Sequence, residues 1–314
     1  MPKQLVRNQD LASDTARLNL LTNGGFEIWQ RGNGPFTGAN PQVADRWTAN
    51  QQGSDVLSTS RDTTNVDAGS TACAAVTFTL GTGGGASGLY QTFVSPSENQ
   101  QMIGRTITFS ARIRTATANA VRIAIDNYYS GTHHYTYSAS FHSGNGTYQT
   151  LTATAVVAAG VQYCQTYFLF SASCTAYIDN AMLVVGSQAA DYAPLHPADD
   201  LARCLRYYER WVFPGGVVAA AAGYCYSTTT AQCIMHTKAR LAVNPAQSAV
   251  SSPSDFTLSG ASGNQIPVVA LSVAQGSFDV FSLLVTVAGG LVAGNGTVLV
   301  SANANAWFAI EANP

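Results

Sequence analysis

The side chains best equipped for chemistry lie in one run, Asp126-Asn-Tyr-Tyr-Ser-Gly-Thr-His-His-Tyr-Thr-Tyr137, which gathers a carboxylate, two histidines and four tyrosines. Aromatic rings stack on the apolar faces of sugars while neighbouring polar groups take the hydroxyls, so the chemistry on offer is glycan recognition. Tyr128 and Tyr129 fall in an expected loop, where two adjacent rings cannot both point inward. They are candidate glycan contacts, together with His134. In the strand expected next, His133, Tyr135, Tyr137, Ala139 and Phe141 share one face and His134, Thr136, Ser138 and His142 the other. The first set reads as core, with Tyr135 and Tyr137 buried. His133 and His134 do not make a metal pair, because adjacent strand residues point to opposite faces.

Catalytic constellations are harder to find. A glycosidase needs two carboxylates facing each other across a cleft; Glu27, Asp45, Asp126 and Asp179 lie in or near expected strands, but no spacing brings two together. The sequence holds no Gly-x-Ser-x-Gly turn, no His-Glu-x-x-His and no glycine-rich phosphate loop followed by lysine. It therefore reads as a non-enzyme without a cofactor. The six cysteines, Cys73, Cys164, Cys174, Cys204, Cys225 and Cys233, include no Cys-x-x-Cys and so no metal site by spacing. A turn centred on Thr229 would set Cys225 and Cys233 opposite each other across a hairpin. A turn at Ser171-Ala-Ser173 would instead place Phe170, not Cys164, across from Cys174. Two readings follow: six small buried thiols in a reducing cytoplasm, or a Cys225–Cys233 bridge formed after release.

The elements that must position these groups are nearly all strands. Short β-compatible segments at 72–80, 88–94, 106–114, 121–126, 133–141, 149–157, 163–170 and 175–184 are punctuated by Gly, Pro, Asn and Ser, the pattern of an all-β sandwich. In Ile107-Thr-Phe-Ser-Ala-Arg-Ile-Arg114 the alternation puts Ile107, Phe109, Ala111 and Ile113 on one face. The stretch 19–32, Asn-Leu-Leu-Thr-Asn-Gly-Gly-Phe-Glu-Ile-Trp-Gln-Arg-Gly, reads as a strand, a sharp kink at Asn23-Gly24-Gly25 and a second strand. After a proline-bearing linker, Asp199 and Asp200 open a helix whose stripe is Leu201, Cys204, Leu205, Tyr208 and Trp211 or Val212, ending by Pro214. Segments at 217–226, 232–240, 255–258, 266–273, 278–287, 297–302 and 307–311 return to β structure. The triplets at Asn145 and Asn295 read as turns.

At 314 residues the chain has room for two cores. Only 10% of its residues are charged, against roughly 25% in an ordinary soluble protein, which suits a surface covered by copies of itself or by an assembly. The net charge of -2, with no basic run or stripe, offers nothing to nucleic acid. No apolar run is long enough to span a membrane, and the first residues lack a secretion signal, so cytoplasmic synthesis without membrane insertion is expected.

The stretch 19–32, with Ala44-Asp-Arg-Trp47 after it, resembles the opening of carbohydrate-binding jelly-roll modules in the variant found on bacteriophage tail fibres, head fibres and decoration proteins. Further landmarks follow in order: Leu89-Tyr-Gln-Thr-Phe93, Tyr148-Gln-Thr-Leu-Thr152 and Ala176-Tyr-Ile-Asp-Asn-Ala-Met-Leu-Val184. Arg203-Cys-Leu-Arg-Tyr-Tyr-Glu-Arg-Trp211 is similar to a segment at the junction between the two β-domains of phage fibre and head proteins. Residues 215–314, including Ile234-Met-His236, Arg240 and Asn244-Pro245, look like the distal domain of small phage fibres, which is usually trimeric.

The resemblance implies an all-β chain: an N-terminal docking arm (1–18), a jelly-roll β-sandwich (19–190), a linker and short helix (191–214), and a second, oligomerising β-sandwich (215–314). The arm is equally readable as a frayed terminus. The resemblance also associates Glu27 and Asp179 with calcium; the alternative is that Asp179 caps a turn and Glu27 bonds backbone. The implied function is a non-enzymatic, homotrimeric structural protein on the surface of a tailed-phage virion, partnered by capsid or tail proteins. The alternative is an adhesin that attaches the virion to host surface glycan.

Overall fold

The computed structural model describes residues 19–83, 85–94, 96–245, 247–259 and 263–314. The proposed arm at 1–18 lies outside them. The chain is almost wholly β and divides into two compact units, one up to Leu201 and one from Ala202. That division falls within helix α1 (Pro197–Leu205).

Unit 1 is a sandwich of two five-stranded antiparallel sheets. The first has the order β2-β3-β10-β5-β8, with β2 Val56–Asp62, β3 Cys73–Thr79, β5 Thr106–Thr115, β8 Tyr148–Val156 and β10 Cys174–Val185. The second has the order β1-β4-β9-β6-β7, with β1 Thr48–Asn50, β4 Gly88–Val94, β6 Val121–Tyr129, β7 Thr132–Tyr137 and β9 Tyr163–Phe170. Alternation does the sorting: Ile107, Phe109, Ala111 and Ile113 all face the core from β5. Between the sheets Trp47 stacks on Phe26 at 4.7 Å, and Phe168 meets Trp47 and Phe109 at 5.4 Å each. The expected turn between β9 and β10 is a crossing instead: β9 pairs with β4 and β6, β10 with β3 and β5, so Phe170 and Cys174 belong to different sheets.

The stretch 19–32 is buried at 21–26 and half-buried towards its end, and it is not two strands. β3 covers β10 only as far as Ile178; the register then shifts between Asp179 and Met182, and residues 19–24 take the vacated edge. Leu20 N–H donates to the Leu183 carbonyl at 2.9 Å, and Ala181 N–H to that of Gly24 at 2.8 Å. Side chains supply further partners. The Asn19 amide donates to Ala181 O and its oxygen accepts from Leu21 and Leu183. Asn23 donates to the Ile28 and Asp45 carbonyls, accepts from Ile28 N–H, and its own carbonyl accepts from the Trp47 indole at 3.0 Å. Left-handed backbone is adopted by Asn23 and Phe26, not by the glycines between them. Gly24 and Gly25 are needed for closeness: a Cβ on Gly24 would lie 2.3 Å from Ala181 O, and one on Gly25 2.4 Å from the Tyr192 hydroxyl.

In unit 2 the expected sheet-on-sheet packing is realised as a closed six-stranded barrel, β12-β13-β17-β16-β15-β18, beside a three-stranded sheet, β11-β19-β14. The strands are β11 Tyr208–Val212, β12 Ala219–Cys225, β13 Thr230–His236, β14 Gln247–Val250, β15 Phe256–Ser259, β16 Gln265–Gly276, β17 Val280–Val287, β18 Gly296–Ser301 and β19 Trp307–Glu311. The expected helix is shorter than its apolar stripe: from Tyr208 the chain turns extended and pairs with β19, Tyr208 opposite Glu311 and Val212 opposite Trp307. Its Glu209 is buried and accepts the N–H groups of Lys238 and Ala239.

Cys225 and Cys233 are free, buried and not opposite each other; Cys225 faces Ala231 and Cys233 faces Gly223. The turn sits one residue earlier than Thr229, because the Ser227 hydroxyl accepts from both Thr229 and Thr230 N–H at 3.1 Å. Both thiols point into the barrel core.

Gly24→Ala must push Ala181 O aside, and overpacking of this kind costs about 1–3 kcal/mol. Denaturant unfolding should show that loss for Gly24→Ala and a comparable one for Asn23→Ala, with β content retained by circular dichroism.

Candidate glycan-binding face

Pairing registers fix what lies on the outer face of the second sheet of unit 1. One row across it reads Thr48, Tyr90, Tyr167, Ala124, Tyr137; the next reads Thr92, Gln165, Asp126, Tyr135; the third reads Val94, Tyr163, Tyr128, His133. The alternate positions Ile123, Ile125, Cys164 and Phe168 fill the core. A second group of aromatics is thus left outside a core that is already full.

The outer rings touch in sequence. Tyr128 stacks on Tyr163 at 4.6 Å and meets His133 at 4.9 Å; His133 stacks on Tyr135 at 5.7 Å and Tyr135 on Tyr137 at 5.8 Å; Tyr167 stacks on Tyr90 at 5.1 Å and meets Tyr135 edge-on at 6.3 Å. Tyr137 is exposed, Tyr90, Tyr128, Tyr135 and Tyr163 are half-buried, and Tyr167 is buried beneath its neighbours. The expectation that Tyr135 and Tyr137 lie in the core is therefore corrected: β7 is an edge strand, and this face looks outward.

Polar groups are set among the rings. Asp126, fully buried, lies 2.6 Å from His133 Nδ1 and accepts the His134 N–H at 3.1 Å. Asn50 donates to the Tyr167 hydroxyl at 2.7 Å, and Gln165 to the Thr92 hydroxyl at 2.8 Å. Burial, then the charge of Asp126, pushes the Tyr135 phenol up to about 12. Burial likewise raises Tyr90, Tyr163 and Tyr167. These phenols therefore keep their protons at neutral pH, and those of the half-buried Tyr90, Tyr135 and Tyr163 offer both a donor and an acceptor to a ligand hydroxyl.

Of the three contact candidates, Tyr128 stands on this face, in β6 rather than in a loop. Tyr129 and His134 stack on each other at 3.9 Å on the reverse side of the β6–β7 hairpin. Sequence reasoning did not single out Tyr90, Arg122, Tyr163, Gln165 or Tyr167 as contacts. For Arg122, Tyr163, Gln165 and Tyr167 the even spacing within β6 and β9 is a signal; the lateral order of the strands, which brings Tyr90 of β4 beside Tyr167, is not.

Glu27 and Asp179 lie elsewhere and act on the loop at 67–71. Thr71 donates its N–H (2.8 Å) and its hydroxyl to the Glu27 carboxylate. Asp179 accepts the N–H groups of Asp67 at 3.0 Å and Asn180 at 2.8 Å. Calcium asks for six to eight oxygens; among the described residues no group of three or more His, Cys, Asp or Glu is placed to hold a metal ion. As arranged, the two carboxylates clamp backbone.

No family model matches this sequence, and no curated protein matches it. Among solved structures, the chain is similar to the CBM22-1 xylan-binding domain of Paenibacillus barcinonensis Xyn10C (TM-score 0.37, 11% identity, 55% of this chain and 96% of that one). It is also similar to the enzymatically active domain of bacteriophage CBA120 tailspike protein 4 (TM-score 0.37, 16% identity, 54% of this chain and 22% of that one). A third is TmCBM61 in complex with β-1,4-galactotriose (TM-score 0.30, 12% identity, 54% of this chain and 99% of that one).

Burial raises the Asp179 carboxyl to about 6, above its ordinary 3.8. The folded state thus holds this proton more tightly than the unfolded one, and the stabilisation, complete below the unfolded value, is lost as pH rises through about 6. Asp179→Asn should remove that loss, so that wild type falls relative to the variant between those two pH values in denaturant titrations. Parallel curves would contradict the assignment.

Proposed function

We propose that unit 1 binds a polysaccharide across the outer face of the β1-β4-β9-β6-β7 sheet. The observation that carries this reading is the contiguous track of Tyr90, Tyr128, His133, Tyr135, Tyr137 and Tyr163 outside a complete core. Rings on rigid strands provide stacking area at little entropic cost, and Gln165 and the phenols supply directional bonds. Binding fits this face better than hydrolysis: Asp126 is the sole carboxylate at its described strand positions, and it is buried and engaged with His133.

The wider setting we infer is a homotrimeric phage surface protein, made in the host cytoplasm and displayed on the virion, with glycan attachment as its task. Scarce charge supports it, as do the exposed apolar positions Tyr224, Ile234 and Val269 on the barrel strands of unit 2. A structural role alone leaves the tyrosine track without a purpose, so the adhesin reading is preferred.

Affinity electrophoresis against a panel of polysaccharides tests the face. Tyr135→Ala and Tyr137→Ala should each weaken binding by about tenfold or more, while Tyr129→Ala and His134→Ala, on the reverse side, should leave it unchanged. The opposite pattern would move the site to the other side of the hairpin. Light scattering of the whole protein should give the mass of three chains, reduced by Ile234→Asp with Val269→Asp; a monomeric wild type would defeat the trimer.

A further inference from the structure

At one end of the tyrosine track the chemistry changes. Arg122, on β6 opposite Leu169 of β9, holds its guanidinium carbon 3.6 Å from the Tyr137 ring centre and 4.9 Å from that of Phe141. A guanidinium laid over a ring keeps donors at its edges, in the fork that matches an oxyanion. The same side chain lines a cavity of about 440 Å³ together with Ala86, Tyr137, Leu169, Phe170 and Ser171. The cavity lies at the end of the track and continues it.

Within the fold the charge of Arg122 rests on aromatic faces and is not neutralised by an acid. Among the described residues no carboxylate lies within ion-pair distance of it. The acid on the same face, Asp126, is four residues farther along the strand, about 13 Å at the usual rise per residue, and is taken by His133 at 2.6 Å. By contrast Arg46 is paired with Glu98 at 3.0 Å and Arg112 with Asp67 at 2.7 Å. An arginine held by two aromatic rings, facing open volume and lacking an acid, is arranged to receive one from outside.

We propose that the polysaccharide bound by this face is anionic, and that Arg122 receives its oxyanion in the cavity while the adjoining sugars lie along the tyrosines. The proposal rests on the glycan reading above and adds the class of sugar. A uronate carboxylate and a sulfate or phosphate ester share the required chemistry: two oxygens in a plane, or a face of three, presented to N–H donors.

The test compares polygalacturonate, dextran sulfate and a neutral β-glucan as probes for the full-length protein, with Arg122→Gln, Arg122→Lys and Tyr135→Ala beside wild type. Wild type should prefer a charged polymer, and raised salt should weaken that binding. Arg122→Gln should lose about ten- to a hundredfold on the charged polymer, the worth of a charge-assisted bond, and nothing on the neutral one. Arg122→Lys should fall between, since it keeps the charge without the fork. Preference for polygalacturonate assigns a carboxylate, preference for dextran sulfate an ester. Equal binding of charged and neutral polymers with Arg122→Gln unaffected would overturn the anionic reading; if Tyr135→Ala still abolished binding, the face itself would stand. Absence of binding to every polymer would overturn both. Circular dichroism on each variant separates loss of binding from loss of fold.

Discussion

A buried segment that forms no regular ladder must find other partners for its backbone N–H and carbonyl groups, and residues 19–32 find them largely in side chains: Asn19 and Asn23 within the segment, with Gln91, Asp200 and Asp45 bonding Thr22, Asn23 and Gln30. Asn19 and Asn23 together bond carbonyls and N–H groups on β10, on the loop before β1 and within the segment itself. The rest of unit 1 depends on this. The amides hold Phe26 under Trp47 and complete the edge of β10 where β3 stops, so the core closes from within. With the inner side of the second sheet filled in this way, its outer tyrosines pack among themselves, Tyr90 and Tyr135 against a small separate cluster of Ala124, Tyr167 and Leu169.

That separation explains why the candidate site was only partly legible. A period of two assigns His133, Tyr135 and Tyr137 to one face, and the structure agrees; it does not say which face is dry. Aromatic residues usually fill interiors, and the alternative became visible only when Ile123, Ile125 and Phe168 were found already occupying this one. The tyrosines of β4 and β9 join the track through lateral strand order, a long-range property that no local pattern carries. Arg122 was unreadable for the same reason, since its meaning depends on Tyr137 across the ladder and on the acids that are not near it.

Elsewhere the misreadings have local causes. Strands 88–94, 163–170 and 307–311 stand where their composition puts them, because β-branched and aromatic runs end at turn residues. The helix at 197–205 ends before its apolar stripe does: Tyr-Glu-Arg-Trp-Val is as good a strand as a helix, and pairing with β19 decides between them. One serine hydroxyl moved the β12–β13 turn by a single residue, enough to set Cys225 and Cys233 two positions out of register. The closure of six strands into a barrel is again a matter of which edges meet.

Confining the core to the inward positions of strands has an evolutionary consequence. Each outward side chain is separated by one residue from the inward neighbour that maintains the fold, so the exposed outward residues, such as His133 and Tyr137, can be exchanged with little effect on the packing beneath them. In this protein, exposed residues of the outer rows can change while Ile123, Ile125, Cys164 and Phe168 stay fixed. The chemistry of the outer face and the folding of the core are thereby encoded in alternate letters of the same short strands.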